Sequence, residues 1–324
     1  PMKQYLQLIK TILTTGKRQQ NRTGIATIGA PGQMLKYDLK DGFPAMTTRR
    51  LAFKTGVGEL VAFLRTERSA AGFRALGCKV WDQNANENAQ WLANPYREGH
   101  DHLGDIYGVQ WRKWKAYKEI PLNQQAQLAD ALSKGFVEIA ERKVAGQRIS
   151  ILFKEIDQVR ECLDKIMYTP SDRRILFHGW NPAALDAVAL PSCHLLYQFT
   201  PNVADKELSL TLYIRSNDVP LGNPQNTSEA ACLLALFARL TGYTPRFLNI
   251  MIADAHIYEN QLDMLNEQLS RTPHALPTLK IADRVPAFAE TGVYQPEWLD
   301  LIEPTDFSLE NYTHEAPLTA PMAV

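Results

Sequence analysis

Four cysteines in 324 residues, Cys78, Cys162, Cys193 and Cys232, are too few and too irregularly spaced for a disulfide framework. They point to reduced thiols and a cytoplasmic protein. No run approaches the roughly 18 apolar residues that a membrane span needs, and Pro1-Met2-Lys3-Gln4 leads into an amphipathic segment, not the apolar core of a signal peptide. Net charge is lacking too: Lys and Arg number 35, as do Asp and Glu, so no overall basic field favours nucleic acid. A local arginine cluster can still grip one phosphate, which depends on placement. Also missing are a Gly-rich dinucleotide or P-loop motif, an HExxH pair and a CxxC pair. His100 and His102 flank Asp101, but without a second ligand pair they make a poor metal site, and no metal is expected.

What is present is a chain with 45% apolar and 22% charged residues, the balance of a globular protein able to bury a core. Met2, Leu6, Ile9 and Leu13 share one face of an N-terminal helix ending near Thr15. An alternating stretch from Ile25 to Tyr37 reads as strand, broken at Pro31-Gly32. Lys54–Leu64 returns to helical spacing. Between Lys115 and Glu155 the texture changes to a Gln-, Ala- and Lys-rich insert, with a helix near Gln124–Ser133 and a short hairpin. Helix over Ile156–Met167, strands over Ile175–Trp180, His194–Thr200, Leu208–Arg215 and Phe247–Ala253, a buried helix over Ser228–Leu240 and an amphipathic helix over Ile257–Leu269 complete the order. Strand meanders with flanking helices predict an α+β fold in a single domain, 1–324, with the insert at about 115–155.

The chemistry concentrates in two stretches. Leu190-Pro191-Ser192-Cys193-His194 places a thiol in a turn beside a histidine, with arginines nearby, and cationic surroundings favour the reactive thiolate. A buried structural cysteine is the bland alternative. Arg215-Ser216-Asn217-Asp218, with Arg173-Arg174, offers the forks and hydroxyl that a phosphate monoester wants; surface ion pairs are the alternative. Asn226 can donate and accept at once, matching the O4/N3-H edge of uracil, though asparagine before a helix is also a common N-cap. Glu59 sits in an apolar helical context, where a lone glutamate ordinarily faces solvent. Trp81, Trp91, Trp111 and Trp114, among amides and Tyr107, either line a cleft or anchor a long loop.

Taken together, Arg22-Thr23-Gly24, Tyr107-Gly108-Val109-Gln110-Trp111-Arg112, Asp172-Arg173-Arg174, Ala189 through His194, Arg215 through Asp218, Asp254-Ala255-His256-Ile257-Tyr258 and the terminal Ala320-Pro321-Met322-Ala323-Val324 resemble the thymidylate synthase family, in order and over almost the whole chain. The resemblance implies a mixed twisted sheet with flanking helices, one sheet face forming a homodimer interface. It implies reductive methylation of dUMP at C5, with methylenetetrahydrofolate as carbon donor and reductant. Catalytic roles would fall to Cys193, Glu59, Tyr107 and Arg215. The nucleotide would be held by Arg22, Arg215, Ser216, Asp218, Asn226, His256 and Tyr258, with Arg173 and Arg174 reaching in from the second subunit. Folate would meet Trp81, Asn84, Leu190, Asp218, Leu221, Gly222, Gln225, Tyr258 and Ala323. No membrane or nucleic-acid partner is implied.

The chain departs from the family pattern at Asn84, where many members carry a second tryptophan, at Gln225 in place of a phenylalanine, and at Thr227-Ser228-Glu229-Ala230 in place of a more apolar run. The related pyrimidine hydroxymethylases share the framework but let water capture the methylene intermediate. A dUMP hydroxymethylase is therefore the alternative activity. A non-enzymatic nucleotide- or RNA-binding relative is a third reading, opposed by the presence of Cys193, Glu59 and Tyr107.

Overall fold

A computed structural model describes residues 1–320. The strands, in chain order, are β1 (Lys17–Gln19), β2 (Thr27–Gly29), β3 (Gln33–Asp38), β4 (Trp114–Pro121), β5 (Val137–Val144), β6 (Gln147–Ile156), β7 (Leu176–His178), β8 (His194–Asn202), β9 (Glu207–Asp218), β10 (Thr244–Tyr258), β11 (Thr278–Ile281) and β12 (Phe307–Glu310). The main sheet runs β1-β2-β10-β9-β8-β7, and β3 also pairs with β10. Only β9 and β10 run parallel; the other pairs are antiparallel, so the sheet is mixed and the fold is α+β, as expected.

A parallel pair needs a crossover, and the helix Gly222–Thr241 supplies it. Its alanines and leucines are buried from Ala230 to Leu234, and it packs on the sheet face formed by Leu208, Leu210, Leu212, Ile214, Leu248, Ile250 and Ile252. Alternation along β9 and β10 sends every second residue to this core and the rest to the other face. The helix begins six residues earlier than the apolar run predicts, because Gly222 to Thr227 continue the turn under a polar network. Asn226 therefore lies inside the helix, and the N-cap reading is set aside.

Three other expectations shift. The N-terminal helix, Lys3–Thr15, buries Tyr5, Leu8, Ile9 and Ile12, a face rotated from the expected one. Tyr5 is drawn inward, where its hydroxyl donates to the Pro220 carbonyl at 3.4 Å. Ile257 and Tyr258 belong to β10, not to a helix, because their backbones pair with Ile28 and Thr27 of β2; the helix starts at Leu262. The insert is more than a hairpin. It forms a three-stranded antiparallel sheet, β4-β6-β5, with the helix Gln125–Ser133 laid on a small core of Ile120, Ala131, Phe136 and Leu152.

Two glycines set the approach of helices to the site. A Cβ on Gly108 would lie 1.9 Å from the Phe63 carbonyl oxygen, so the helix Tyr107–Arg112 can press on the helix Phe53–Leu64 only through glycine. A Cβ on Gly58 would meet the Leu76 carbonyl oxygen at 2.3 Å. The Phe53–Leu64 helix is buried continuously from Gly56 to Leu64. It has no solvated face at Glu59, contrary to the ordinary expectation for a lone glutamate.

Candidate active site

Cys193 sits one residue before β8, and its carbonyl accepts from the backbone N–H of Arg215 on β9 at 2.9 Å. Its own N–H donates to the Tyr107 hydroxyl at 2.7 Å. Arg215 locks the turn: its Nε donates to the Ser192 carbonyl at 2.8 Å and its Nη2 to the Pro191 carbonyl at 3.2 Å. The same Nη2 lies 3.5 Å from Cys193 Sγ. The guanidinium thus places a positive charge against the sulfur.

His194 does not supply that positive charge. Its ring is buried, which pushes its pKa down to about 3, and its Nδ1 lies 2.6 Å from the Tyr197 hydroxyl. The histidine is a neutral core residue, and the cation at the thiol is Arg215. The adjacent position in sequence misleads because successive residues of a strand point to opposite faces.

Glu59 is 5% exposed, and burial raises its carboxyl pKa to about 7, opposed by hydrogen bonds that include Glu229, Cys78 and Gln225. Gln225 Nε2 donates to Glu59 Oε2 at 3.2 Å and to Glu229 Oε1 at 3.1 Å. The Cys78 thiol is 3.7 Å from Glu59 Oε2. Trp81 packs edge-on against Phe63 and Tyr107, with its buried Nε1 unpartnered. Burial, then the neighbouring Cys193 sulfur, raises the Tyr107 phenol well above its ordinary value, so it remains a hydroxyl.

The parallel register of β9 and β10 sets Asp218 beside His256 and Ser216 beside Asp254. Asp218 Oδ1 and Oδ2 accept from Gln261 Nε2 at 3.1 and 3.2 Å, and burial raises the pKa of this carboxyl. Asn226 Oδ1 accepts from Asn217 Nδ2 at 3.1 Å, while Asn217 Oδ1 accepts from Asn223 Nδ2 at 3.0 Å. His256 Nδ1 is 3.0 Å from Asp254 Oδ1, and its ring meets Tyr258 edge to face. Burial raises the Tyr258 phenol, and Arg22 is among the charges acting on it. Leu190, Leu221, Gly222 and Asn84 are half-buried. Arg22, Arg173 and Arg174 are exposed, and among the described residues none forms an ion pair. Arg173 and Arg174 stand just before β7, the edge strand beside β8. Ala323 lies outside the described residues.

Elsewhere, Asp101 is gripped by Arg74 at 2.7 and 3.0 Å and by Asn86 at 2.8 Å, so its carboxylate anchors a loop and is not offered to a metal between His100 and His102. The main polar group that motif reading left out of the site is Glu229. Its signal was a carboxylate inside an alanine- and leucine-rich helix, four residues after Gln225. Asn217, Asn223 and Gln261, which hold Asn226 and Asp218, carried no such signal.

A thiol facing a guanidinium in a turn, a tyrosine hydroxyl on its backbone and a buried carboxylate nearby make up a candidate enzyme site on an α+β sheet. The family model for thymidylate synthase matches residues 3–324. The chain is 64% identical over 323 residues to the thymidylate synthase of Pseudomonas putida, 60% to that of Bordetella parapertussis and 33% over 338 residues to that of Listeria monocytogenes, covering 100% of both chains each time. The chain belongs to the thymidylate synthase family, enzymes of the methyltransferase class, and shares that function.

Proposed function

We propose that the protein methylates dUMP to dTMP through a covalent adduct on Cys193, with methylenetetrahydrofolate as co-substrate. The observation that carries the reading is the Arg215 guanidinium held 3.5 Å from Cys193 Sγ by two carbonyls of the turn. The thiolate adds to C6 of uracil: the S–C6 bond forms, the C5–C6 π pair moves toward C5 and O4, and C5 becomes nucleophilic. Tyr107, protonated and touching the Cys193 backbone, assists removal of the C5 proton. Glu59 orders proton transfers to the ring. Elimination then breaks the S–C6 bond and returns the thiolate.

Arg22, Arg215 and Ser216 are assigned to the phosphate, Asn226 to the base edge, and His256 and Tyr258 to the sugar hydroxyl. The donor set fits a reduced folate: Asp218 offers a half-buried carboxyl to ring N–H groups, while Leu190, Leu221, Trp81 and Gly222 give apolar walls and Asn84 a half-buried amide. When bound, folate supplies the one-carbon unit and the hydride. Gln225 was expected to meet folate; its amide nitrogen instead faces Glu59 and Glu229, leaving its stem for any such contact.

A homodimer follows the same reading. Met34, Met251 and Tyr213 are exposed and stand side by side across β3, β10 and β9, with Leu196 next on β8. An apolar row of that kind is suited to a copy of itself, and the free Arg173 and Arg174 are assigned to the partner's phosphate site. Among the described residues no helix is long and apolar enough to cross a membrane. The four cysteines are free thiols, which suits the cytoplasm.

The test is dihydrofolate formation, followed by near-ultraviolet absorbance, on mixing the protein with dUMP and methylenetetrahydrofolate. A dUMP-dependent rise lost in Cys193→Ser supports the reading. Release of the C5 proton with no dihydrofolate would overturn it in favour of hydroxymethylation by water.

A further inference from the structure

Glu229 has no part in the reaction as derived so far, yet a carboxylate in the middle of a buried helix needs a reason. It is 3% exposed, at the point where the helix passes from the polar 225–228 turn to its buried alanine- and leucine-rich half. Its carboxyl oxygen, one from Glu59 and a ring nitrogen of His194 all lie within 4.8 Å of one another. Between the two carboxyl groups sits the Gln225 amide nitrogen, giving one N–H to each at 3.2 and 3.1 Å. Gly56 leaves the room for this clamp: a Cβ there would stand 3.3 Å from Gln225 Cγ and 3.6 Å from Glu229 Cγ.

We propose that Glu229 is a positioning residue for Glu59: the two carboxyl groups, bridged by the Gln225 amide, share one proton in a hydrogen bond in which Glu229 is the donor. The idea rests on the reading of Glu59 as the carboxylate that manages proton transfer. Two carboxylates in one dry site cannot both ionise cheaply, so one holds a proton and becomes a donor. An amide donor facing both oxygens is the setting of a shared proton, since its N–H groups would repel a metal cation. The other titratable groups facing the pair bring no positive charge that would let both carboxyl groups ionise. Cys78 and Tyr107 beside Glu59, Cys232 beside Glu229 and Tyr197 beside both are raised by burial and stay neutral, and His194 is a neutral ring. Burial, then the Glu59 charge, raises the Glu229 carboxyl well above its ordinary value, while Glu229 lowers that of Glu59.

The experiment compares Glu229→Ala, Glu229→Gln and the unaltered enzyme across pH, with an infrared titration of the same proteins without substrate. Loss of the donor in Glu229→Ala should move the Glu59 limb of the kcat profile up by about one pH unit, a tenfold change in proton affinity, with KM for dUMP unchanged. Glu229→Gln, which still donates, should restore the wild-type limb. The infrared spectrum of the unaltered protein at neutral pH should show more protonated carboxyl absorption than Glu59 alone accounts for, and Glu229→Gln should remove that excess. Superimposable pH profiles in all three proteins, or equal shifts in both variants, would overturn the proposal. So would equal protonated carboxyl absorption in the unaltered protein and Glu229→Gln, a comparison read without turnover that stands even if the enzymatic reading fails or Glu229→Ala does not fold.

Discussion

The backbone N–H of Cys193 donates a 2.7 Å hydrogen bond to the hydroxyl of Tyr107, 86 residues earlier in the chain. The tyrosine thereby ties the thiol-bearing turn to the helix Tyr107–Arg112, which rests on the helix that carries Glu59. Thiol, hydroxyl and carboxylate are held by one chain of contacts, so a change at one should be felt as a change of rate.

Tyr107→Phe tests this link directly. The ring would keep its stacking on Phe63, 4.9 Å between centroids, so the fold should hold. The hydroxyl alone is lost, and kcat should fall by roughly 100-fold, the lower range for a general acid–base group. Binding of dUMP, measured by calorimetry, should change much less. A variant with wild-type kcat would remove Tyr107 from the proton pathway.

Arg215→Lys keeps a positive charge but loses the fork that reaches the Ser192 and Pro191 carbonyls. The turn loosens and the charge at Cys193 Sγ becomes mobile. Alkylation of Cys193 at neutral pH should slow by about tenfold, because the cation that faces the sulfur is no longer held in place. The rate would be read by mass spectrometry of the modified peptide. Unchanged alkylation would mean that Arg215 serves only the phosphate.

These residues show what the sequence could and could not reveal. Strand alternation and the apolar Ser228–Leu240 part of the crossover helix follow from period-two and period-3.6 patterns, and the ordered motifs pick out Cys193, Arg215 and Asn226. Long-range partners did not follow. Glu59 reads as a surface residue until the helix is seen to be enclosed on every side. His194 reads as the thiol's cation until the strand turns it into the core. The pairing of Glu59 with Glu229 joins two helices 170 positions apart, and no local pattern reports such a meeting. The partners of Asn217, and the place of Gln261 beside Asp218, were invisible for the same reason.

Stability should report the buried Glu59 as well. Its pKa is pushed up to about 7 from an ordinary 4.5, so between those values the native state binds more protons than the unfolded chain. The neutral carboxyl is fully tolerated below the unfolded value, and that advantage is lost as pH rises through the folded one. Relative to the unaltered protein, Glu59→Gln should gain stability between pH 4.5 and about 7, by on the order of 3 kcal/mol, and stay level outside that window. Burial of His194 acts in the opposite sense, favouring the fold as pH rises above about 3, but it is common to both proteins and cancels in the difference. Urea unfolding across pH provides the measurement, and a flat difference would contradict the buried, proton-binding carboxyl.

Hybrid dimers can locate Arg173 and Arg174. Cys193→Ser lacks the nucleophile, and an Arg173→Ala/Arg174→Ala double variant lacks the crossing guanidinium groups. Each alone should be nearly inactive. Unfolded together and refolded at equal amounts, half of the dimers would be hybrids with one intact site, so about a quarter of wild-type activity should return. No recovery, with dimers present by sedimentation, would place both arginines in their own subunit's site, and an active double variant would place them outside any site.

Gly108 is the most sensitive position in the scaffold behind the site. A methyl group there would meet the Phe63 carbonyl oxygen at 1.9 Å, with the Phe63 carbonyl carbon and Cα at 2.6 and 2.7 Å, all of them backbone atoms that cannot swing aside. The two helices must separate, and overpacking of this kind costs about 3 kcal/mol or more. Because Tyr107 is the adjacent residue, the separation also lengthens its bond to Cys193. Gly108→Ala should therefore lose thermal stability and show a kcat depressed at least as far as in Tyr107→Phe, even at temperatures where it remains folded. If kcat stayed at the wild-type level in the folded variant, the helix contact would serve stability alone, and the placement of Tyr107 would have to come from the Cys193 turn.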